Sequence, residues 1–116
     1  DVILADESQF FTEEQINQLR SIVDQCSVPV LCYGLRTDFT SHFFSGSKRL
    51  MEISDELEEI KAMCRCCGKH KALVNARLIN GNVVTSGEQI VLGGNESSMP
   101  MCHKCWANAT KNRKTL

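Results

Sequence analysis

Two C-x2-C pairs constrain this 116-residue chain more than anything else in it: Cys64-Arg65-Cys66-Cys67 and Cys102-His103-Lys104-Cys105, with 34 residues between them. Each such turn points two thiolates at one ion, and tetrahedral zinc needs four ligands. Cys64, Cys67, Cys102 and Cys105 therefore make a complete set for one structural Zn2+. With every position taken by protein sulfur, none remains for water or substrate, so the metal is expected to fold the C-terminal part of the chain and not to catalyse. Binding of roughly 10–16 kcal/mol in small zinc peptides is enough to order a segment too small to build its own core. Three of the seven cysteines remain. An odd total suits a disulfide framework badly. Cys66, beside Cys67, reads as a spare thiol, and Cys26 and Cys32 as small apolar residues at a helix end and in a buried strand. His103 reads as a bystander in the second knuckle, and His42 and His70 as solvated side chains.

The charge is divided unevenly. Residues 1–60 hold 12 acidic and 4 basic side chains, residues 61–116 hold 2 and 9, and the break falls just before Cys64. No uninterrupted apolar run approaches the roughly 18 residues of a membrane span. The apolar start runs into Asp6 and Glu7 without a basic leader, so a cytoplasmic protein without a membrane partner is expected. Val2 to Ala5 has the pattern of a strand buried on both faces. Thr12-Glu13-Glu14-Gln15 matches a capping box, and Ile16, Leu19, Ile22 and Val23 follow at helical spacing, predicting a helix to about Cys26. Val28 to Leu35 is a second strand pattern with its proline near the start. Strand, helix and strand in about 35 residues form a βαβ unit, hence a parallel sheet. Residues 36–46 read as a structured loop and Ser47 to Ser54 as a helix; Leu57 to Met63 fits either a strand or a helix. Ala72 to Ile79 is strand-like, Asn80-Gly81 is a type I′ hairpin signal, and Val83-Val84 begins the return strand. Residues 86–100, with three glycines, read as a long loop able to approach a ligand, and Lys111 to Lys114 as a frayed basic tail.

An apolar strand ending in Asp6-Glu7 is also the pattern of a Walker B element, in which an acid at the carboxyl end of a parallel strand faces the metal-nucleotide site. Alone, that pair is equally well a solvated strand end. Its continuation is more specific. Asp6-Glu7-Ser8-Gln9-Phe10-Phe11, Tyr33-Gly34-Leu35-Arg36-Thr37-Asp38-Phe39, Gly46-Ser47-Lys48-Arg49-Leu50, Asn75-Ala76-Arg77, Gly87 to Glu96 and the two knuckles occur in that order. Together they closely resemble the zinc-containing, type II thymidine kinases from Asp1 to about Trp106.

The resemblance implies an α/β fold: part of a RecA-like P-loop parallel sheet over residues 1–63, followed by a small zinc-ribbon-like lasso domain over residues 64–116. It implies transfer of the ATP γ-phosphate to the 5′-hydroxyl of thymidine or deoxyuridine, with thymidine and Mg2+-ATP as ligands. Glu7 matches the general base, and Asp6 the acid that orients Mg2+ through its water shell. Phe10, Leu35, Phe39 and Phe44 match apolar residues around the nucleoside, although core packing is the alternative for Phe39, Phe43 and Phe44. Gln89, Val91 and Gly93 lie in the lasso, whose backbone groups bind the thymine edge and can reject other bases. Asn75 falls near the thymine methyl. The family implies a homo-oligomer, usually a tetramer, and feedback by thymidine triphosphate. Ser98 stands where a tyrosine commonly helps hold the nucleoside, which puts pyrimidine selectivity in question.

No G-x-x-x-x-G-K-[S/T] segment occurs in these 116 residues. They are accordingly expected to be the C-terminal part of a longer kinase and to be inactive alone. The competing expectation is a non-enzymatic zinc-ribbon module that binds nucleic acid through the basic half. Trp106 is the only aromatic residue after Phe44, which leaves no interleaved stacking platform and makes a nucleic-acid partner the weaker reading.

Overall fold

The computed structural model describes residues 1–89 and 96–114. It divides into two compact units, one of Asp1–Arg36 with Phe43–Glu58, the other of Thr37–His42 with Glu59–Leu116. Both parallel and antiparallel sheet are present, so the fold is mixed α/β.

In the first unit, strands β1 (Ile3–Ala5) and β2 (Val30–Cys32) pair in parallel with Ile3 opposite Val30, Leu4 opposite Leu31 and Ala5 opposite Cys32. The crossover is helix α1 (Glu13–Cys26). Its start is fixed as the sequence predicts: the Thr12 hydroxyl accepts from the Gln15 amide at 3.1 Å, and the Gln15 side chain accepts from the Thr12 N–H at 2.9 Å. Glu13 and Glu14 occupy the first turn, where the helix dipole favours acids. The helix stops at Ser27, left-handed at φ 54°, whose N–H closes on the Val23 carbonyl. Ile16 is the buried centre of its inner face. Helix α2 (Ser45–Ile53) packs on α1, and Arg49 Nε donates to Asn17 Oδ1 at 2.7 Å.

The expectation of strands buried on both faces does not hold. Leu4 is 67% and Leu31 41% exposed, and they share one face of the ribbon with the exposed side chains Val2 and Tyr33. A two-stranded ribbon crossed by one helix is covered on one side only, and these two strands have no further layer within the first unit. Cys26 is likewise exposed and Cys32 half-buried.

Close approach, and not turn geometry, decides one glycine. A Cβ on Gly46 would lie 2.6 Å from both the Ser8 and Phe11 carbonyl oxygens. Alanine gains about 1 kcal/mol in helix propensity, but overpacking costs about 1–3 kcal/mol and no flexible side-chain tip is there to yield. Gly46→Ala is therefore expected to lower the melting temperature; a rise would show that the 3-10 turn at Ser8–Phe10 yields freely.

The second unit is an antiparallel sheet of order β4-β3-β5, with β3 Val74–Ile79, β4 Asn82–Val83 and β5 Glu96–Met101. Asn80 and Gly81, at φ 53° and 80°, form the hairpin turn that the sequence predicts. Two expectations are corrected here. Residues 96–101 are a strand paired along the whole of β3 from Val74–Met101 to Ile79–Glu96, where a loop was expected. Pro100 is tolerated because, among the described residues, β5 is an edge strand that pairs with β3 alone. Lys111–Lys114 continue helix α3 (His103–Lys114), which the second knuckle anchors at its start. Between the units' regular elements, Leu57 to Met63 is neither strand nor helix; a single antiparallel bridge joins Met63 to Lys71.

Candidate functional site

In the first unit the chain turns sharply where β1 ends. Glu7 sits in the left-handed region at φ 52°, ψ 40°, its N–H donating to Asp6 Oδ1 at 2.8 Å. Ser8 is fully buried, its N–H bonded to the Tyr33 carbonyl and its hydroxyl to the Ala5 carbonyl, each at 2.9 Å. These bonds hold the 3-10 turn Ser8–Phe10 against the exit of β2. Gln9, 2% exposed, then links the two strand ends. Its Nε2 donates to Glu7 Oε2 at 2.7 Å, and its Oε1 accepts the Leu35 N–H at 3.2 Å. Glu7 is thus an exposed carboxylate with one oxygen fixed by a buried amide.

Apolar surface lies in the same unit. Phe10 meets Phe44 edge to face at a 5.7 Å centroid distance, with Phe44 buried and Phe10 47% exposed. The Leu35 side chain is also exposed, while its carbonyl accepts from the Ser47 hydroxyl in the first turn of α2. Asp6, Glu7, Phe10, Leu35 and Phe44 are therefore all positioned by β1, β2, α2 and the turn between them. Phe43, by contrast, is exposed.

In the second unit the two faces of β3 separate two sets of residues. Val74 and Ala76 are buried on one face, and Ala76 joins Cys64, Cys102 and Met101 in a core against which Cys67, Cys105 and Trp106 pack. The Sγ atoms of Cys64, Cys67, Cys102 and Cys105 all lie within 4.8 Å of one another. The Cys67–Cys102 separation is 4.0 Å, against about 3.8 Å between thiolates held tetrahedrally at 2.3 Å from zinc. Four thiols gathered in a core without disulfides fit a zinc ion by both donor chemistry and distance. The knuckles supply backbone N–H groups to sulfur: Lys69 to Cys67 and Cys105 to Cys102, each at 3.4 Å. Burial pushes the Cys64 thiol up, but backbone donors from Cys102, Cys67 and Cys66 prevail and bring it down to about 6. The Cys67 thiol is lowered by the Lys69 and His70 amides. Cys105 is raised, chiefly by its hydrogen bond with the Cys102 side chain. Cys66 and His103 are exposed, and His103 packs on the Trp106 ring.

Asn75 and Arg77 point to the other face of β3, and Ser98 lies opposite Arg77 in the ladder, on that same face. Phe39 is 5% exposed, with the Arg77 guanidinium 3.7 Å over its ring centroid. Gln89 donates Nε2 to Asp38 Oδ2 at 2.7 Å, and its carbonyl accepts from Arg77. Burial pushes Asp38 up, yet bonds from Gln89, Thr40 and His42 outweigh it and hold the carboxyl below the ordinary aspartate range. The stability this group contributes is complete above that range and is lost as pH falls through its lower folded value. Val91 and Gly93 lie outside the described residues.

Three residues with evident structural work carry no role in the sequence reading: Gln9, Asp38 and Arg77. The only signal for them is a polar side chain set among apolar ones, Asp38 next to Phe39 and Arg77 within an apolar strand.

A family model described as thymidine kinase matches residues 1–106. A thymidine kinase of Listeria monocytogenes serotype 4b (strain F2365) is 45% identical over 106 residues, covering 91% of this chain and 56% of its own length. One from Legionella pneumophila subsp. pneumophila (strain Philadelphia 1) is 50% identical over 101 residues, 86% of this chain and 47% of its own. One from Yersinia pestis is 46% identical over 109 residues, 94% and 55% respectively. The chain spans about half the length of the curated relatives it matches.

Proposed function

Because this chain belongs to the thymidine kinase family, we propose that the full-length protein transfers the γ-phosphate of ATP to the 5′-hydroxyl of thymidine or deoxyuridine. The observation that carries the residue assignment is the Glu7 carboxylate, held by Gln9 at the end of β1 in the unit that also carries Phe10, Leu35 and Phe44. With Oε2 committed to Gln9, proton acceptance is assigned to Glu7 Oε1. As the 5′-oxygen attacks γ-phosphorus, its proton passes to that oxygen and the bond to ADP breaks with its electron pair going to the leaving oxygen. Asp6 orients the Mg2+ that travels with ATP. Residues 1–63 are read as part of a RecA-like sheet, and the phosphate cradle of ATP is assigned to none of these 116 residues.

Base recognition is assigned to the zinc-held lasso part, residues 64–116, through Asn75, Gln89, Val91 and Gly93, together with Phe39. Zn2+ on Cys64, Cys67, Cys102 and Cys105 supplies structure only, since four thiolates close its coordination. The basic residues Arg65, Lys69 and Lys104, within or beside the knuckles, offset the net negative charge of such a site. A homo-oligomer, a tetramer as in the family, and a cytoplasmic location go with this reading. Among the described residues no helix is long and apolar enough to cross a membrane. The nucleic-acid alternative is weakened further, because Trp106 is half-buried against the zinc-site core and stands without a second aromatic beside it to form a stacking platform.

The test is phosphoryl transfer by the full-length, zinc-loaded protein with Mg2+-ATP. Thymidine and deoxyuridine should be phosphorylated well above deoxycytidine and deoxyadenosine, and absence of transfer to either of the first two would sink the assignment. Ser98→Tyr, which adds an aromatic ring opposite Arg77, is expected to lower KM for thymidine several-fold by burying apolar area. An unchanged KM would remove position 98 from the nucleoside site.

A further inference from the structure

The buried amide of Gln9 has only one way to face. A backbone N–H can only donate, so the Gln9 oxygen must meet the Leu35 N–H, and the Nε2 hydrogens are thereby turned to Glu7 Oε2. A flipped amide would set donor against donor at Leu35 and acceptor against acceptor at Glu7. Leu35 is fixed in its turn, because its carbonyl accepts from the hydroxyl of Ser47, a buried residue of α2. Gly34 leaves the room that the amide occupies: a Cβ there would collide with Gln9 Oε1 and lie 3.0 Å from the Gln9 backbone nitrogen. A chain of contacts thus runs from the first turn of α2, through the exit of β2, to one oxygen of the Glu7 carboxylate, all of it within the first unit.

Glu7 needs such a hold. Its side chain is exposed, and a free glutamate on an exposed turn spreads over several rotamers. We propose that Gln9 is a positioning residue for phosphoryl transfer: its amide, oriented by the Leu35 N–H and admitted by Gly34, holds the Glu7 carboxylate in one rotamer and so aims Oε1. The proposal rests on the assignment of Glu7 as general base. Its physical basis is orientation, since displacing a reacting group by about 1 Å can cost on the order of a hundredfold in rate. Leu35 is also among the apolar residues assigned to the nucleoside. One strand end would then serve the substrate through its side chain and the base through its backbone N–H.

Kinetics of the full-length, zinc-loaded protein with Mg2+-ATP separate positioning from general stability. Gln9→Met keeps the length of the side chain and removes both hydrogen bonds. It should lower kcat for thymidine roughly tenfold to a hundredfold, while KM for thymidine and for ATP stays within about twofold. In a Glu7→Gln background the same change should lower kcat no further, because a residue that acts through the base then has nothing left to aim. Gln9→Glu keeps an acceptor for the Leu35 N–H but, when ionised, offers Glu7 no donor, and it should be at least as slow as Gln9→Met. Gly34→Ala reaches the same amide from the other side, since its methyl displaces the flexible tip of Gln9. It should reproduce the loss of kcat, again only when Glu7 is present, and it decides the matter where Gln9→Met fails to fold. An unchanged kcat in these variants, a loss that multiplies with that of Glu7→Gln, or a rise in both KM values with kcat retained would overturn the inference. If Glu7→Gln itself turns over normally, the base assignment fails. If Glu7→Gln is slow and Gln9→Met is not, the base stands and the positioning role alone is lost.

Discussion

Replacing Glu7 by Gln in the full-length protein should lower kcat for thymidine by roughly a hundredfold to ten-thousandfold, the range over which a positioned general base contributes. The substitution is chosen for what it keeps. A glutamine oxygen can still accept from Gln9 Nε2, so the turn Ser8–Phe10 and its bond to Leu35 stay in place. What it loses is the capacity to take up a proton. Melting temperature, zinc content and binding of thymidine should therefore stay close to wild type while turnover falls. Asp6→Asn should differ in kind, raising the Mg2+ concentration needed for half-maximal rate. Near-normal turnover by the Glu7→Gln protein would take Glu7 out of the role of base.

The second large effect is expected at the metal. Stripping zinc with a chelator, or changing Cys102 to Ser, should unfold the second unit, because its core consists largely of the ligands themselves: Cys64 and Cys102 are buried with Ala76 and Met101, and Cys67 and Cys105 pack on them. Metal binding worth roughly 10–16 kcal/mol in small zinc peptides exceeds the whole stability of most domains. The chain's one tryptophan reports on the event directly, since Trp106 packs on that core and its fluorescence should shift to the red on unfolding. Ligation requires the thiols to shed their protons, so acid should release the metal and shift the same signal. About one zinc per chain is expected, and a Cys102→Ser protein that retained both metal and stability would refute the ligand set. Cys66→Ser should leave both unchanged.

Local rules made part of this fold legible. The α1 capping box and the Asn80-Gly81 turn are written in residues three positions apart or adjacent, and both occur as read. The four ligand cysteines are spaced by zinc geometry and meet as expected. Strand β5 was not legible, because Ser97-Ser98-Met99-Pro100 has no apolar alternation; β3 imposes its extended form by pairing. The open Leu4–Leu31 face was missed for a different reason: an apolar run reports what a strand is suited to bury, not which layers are there to bury it. In the candidate site, Glu7 and its apolar neighbours could be named from motif order. Gln9, which fixes Glu7, could not, since it also reaches Leu35 across 26 positions; nor could the Asp38–Gln89 bond of the second unit, which spans 51.

The left-handed backbone at Glu7 carries a consequence for evolution in the laboratory. A non-glycine residue with φ 52° and ψ 40° is held in a sparsely populated region, at a cost of about 1–3 kcal/mol. Glycine or asparagine would relax it, and neither can accept the proton. A selection for thermal resistance alone would thus be drawn to position 7 and would discard the residue on which turnover is proposed to depend.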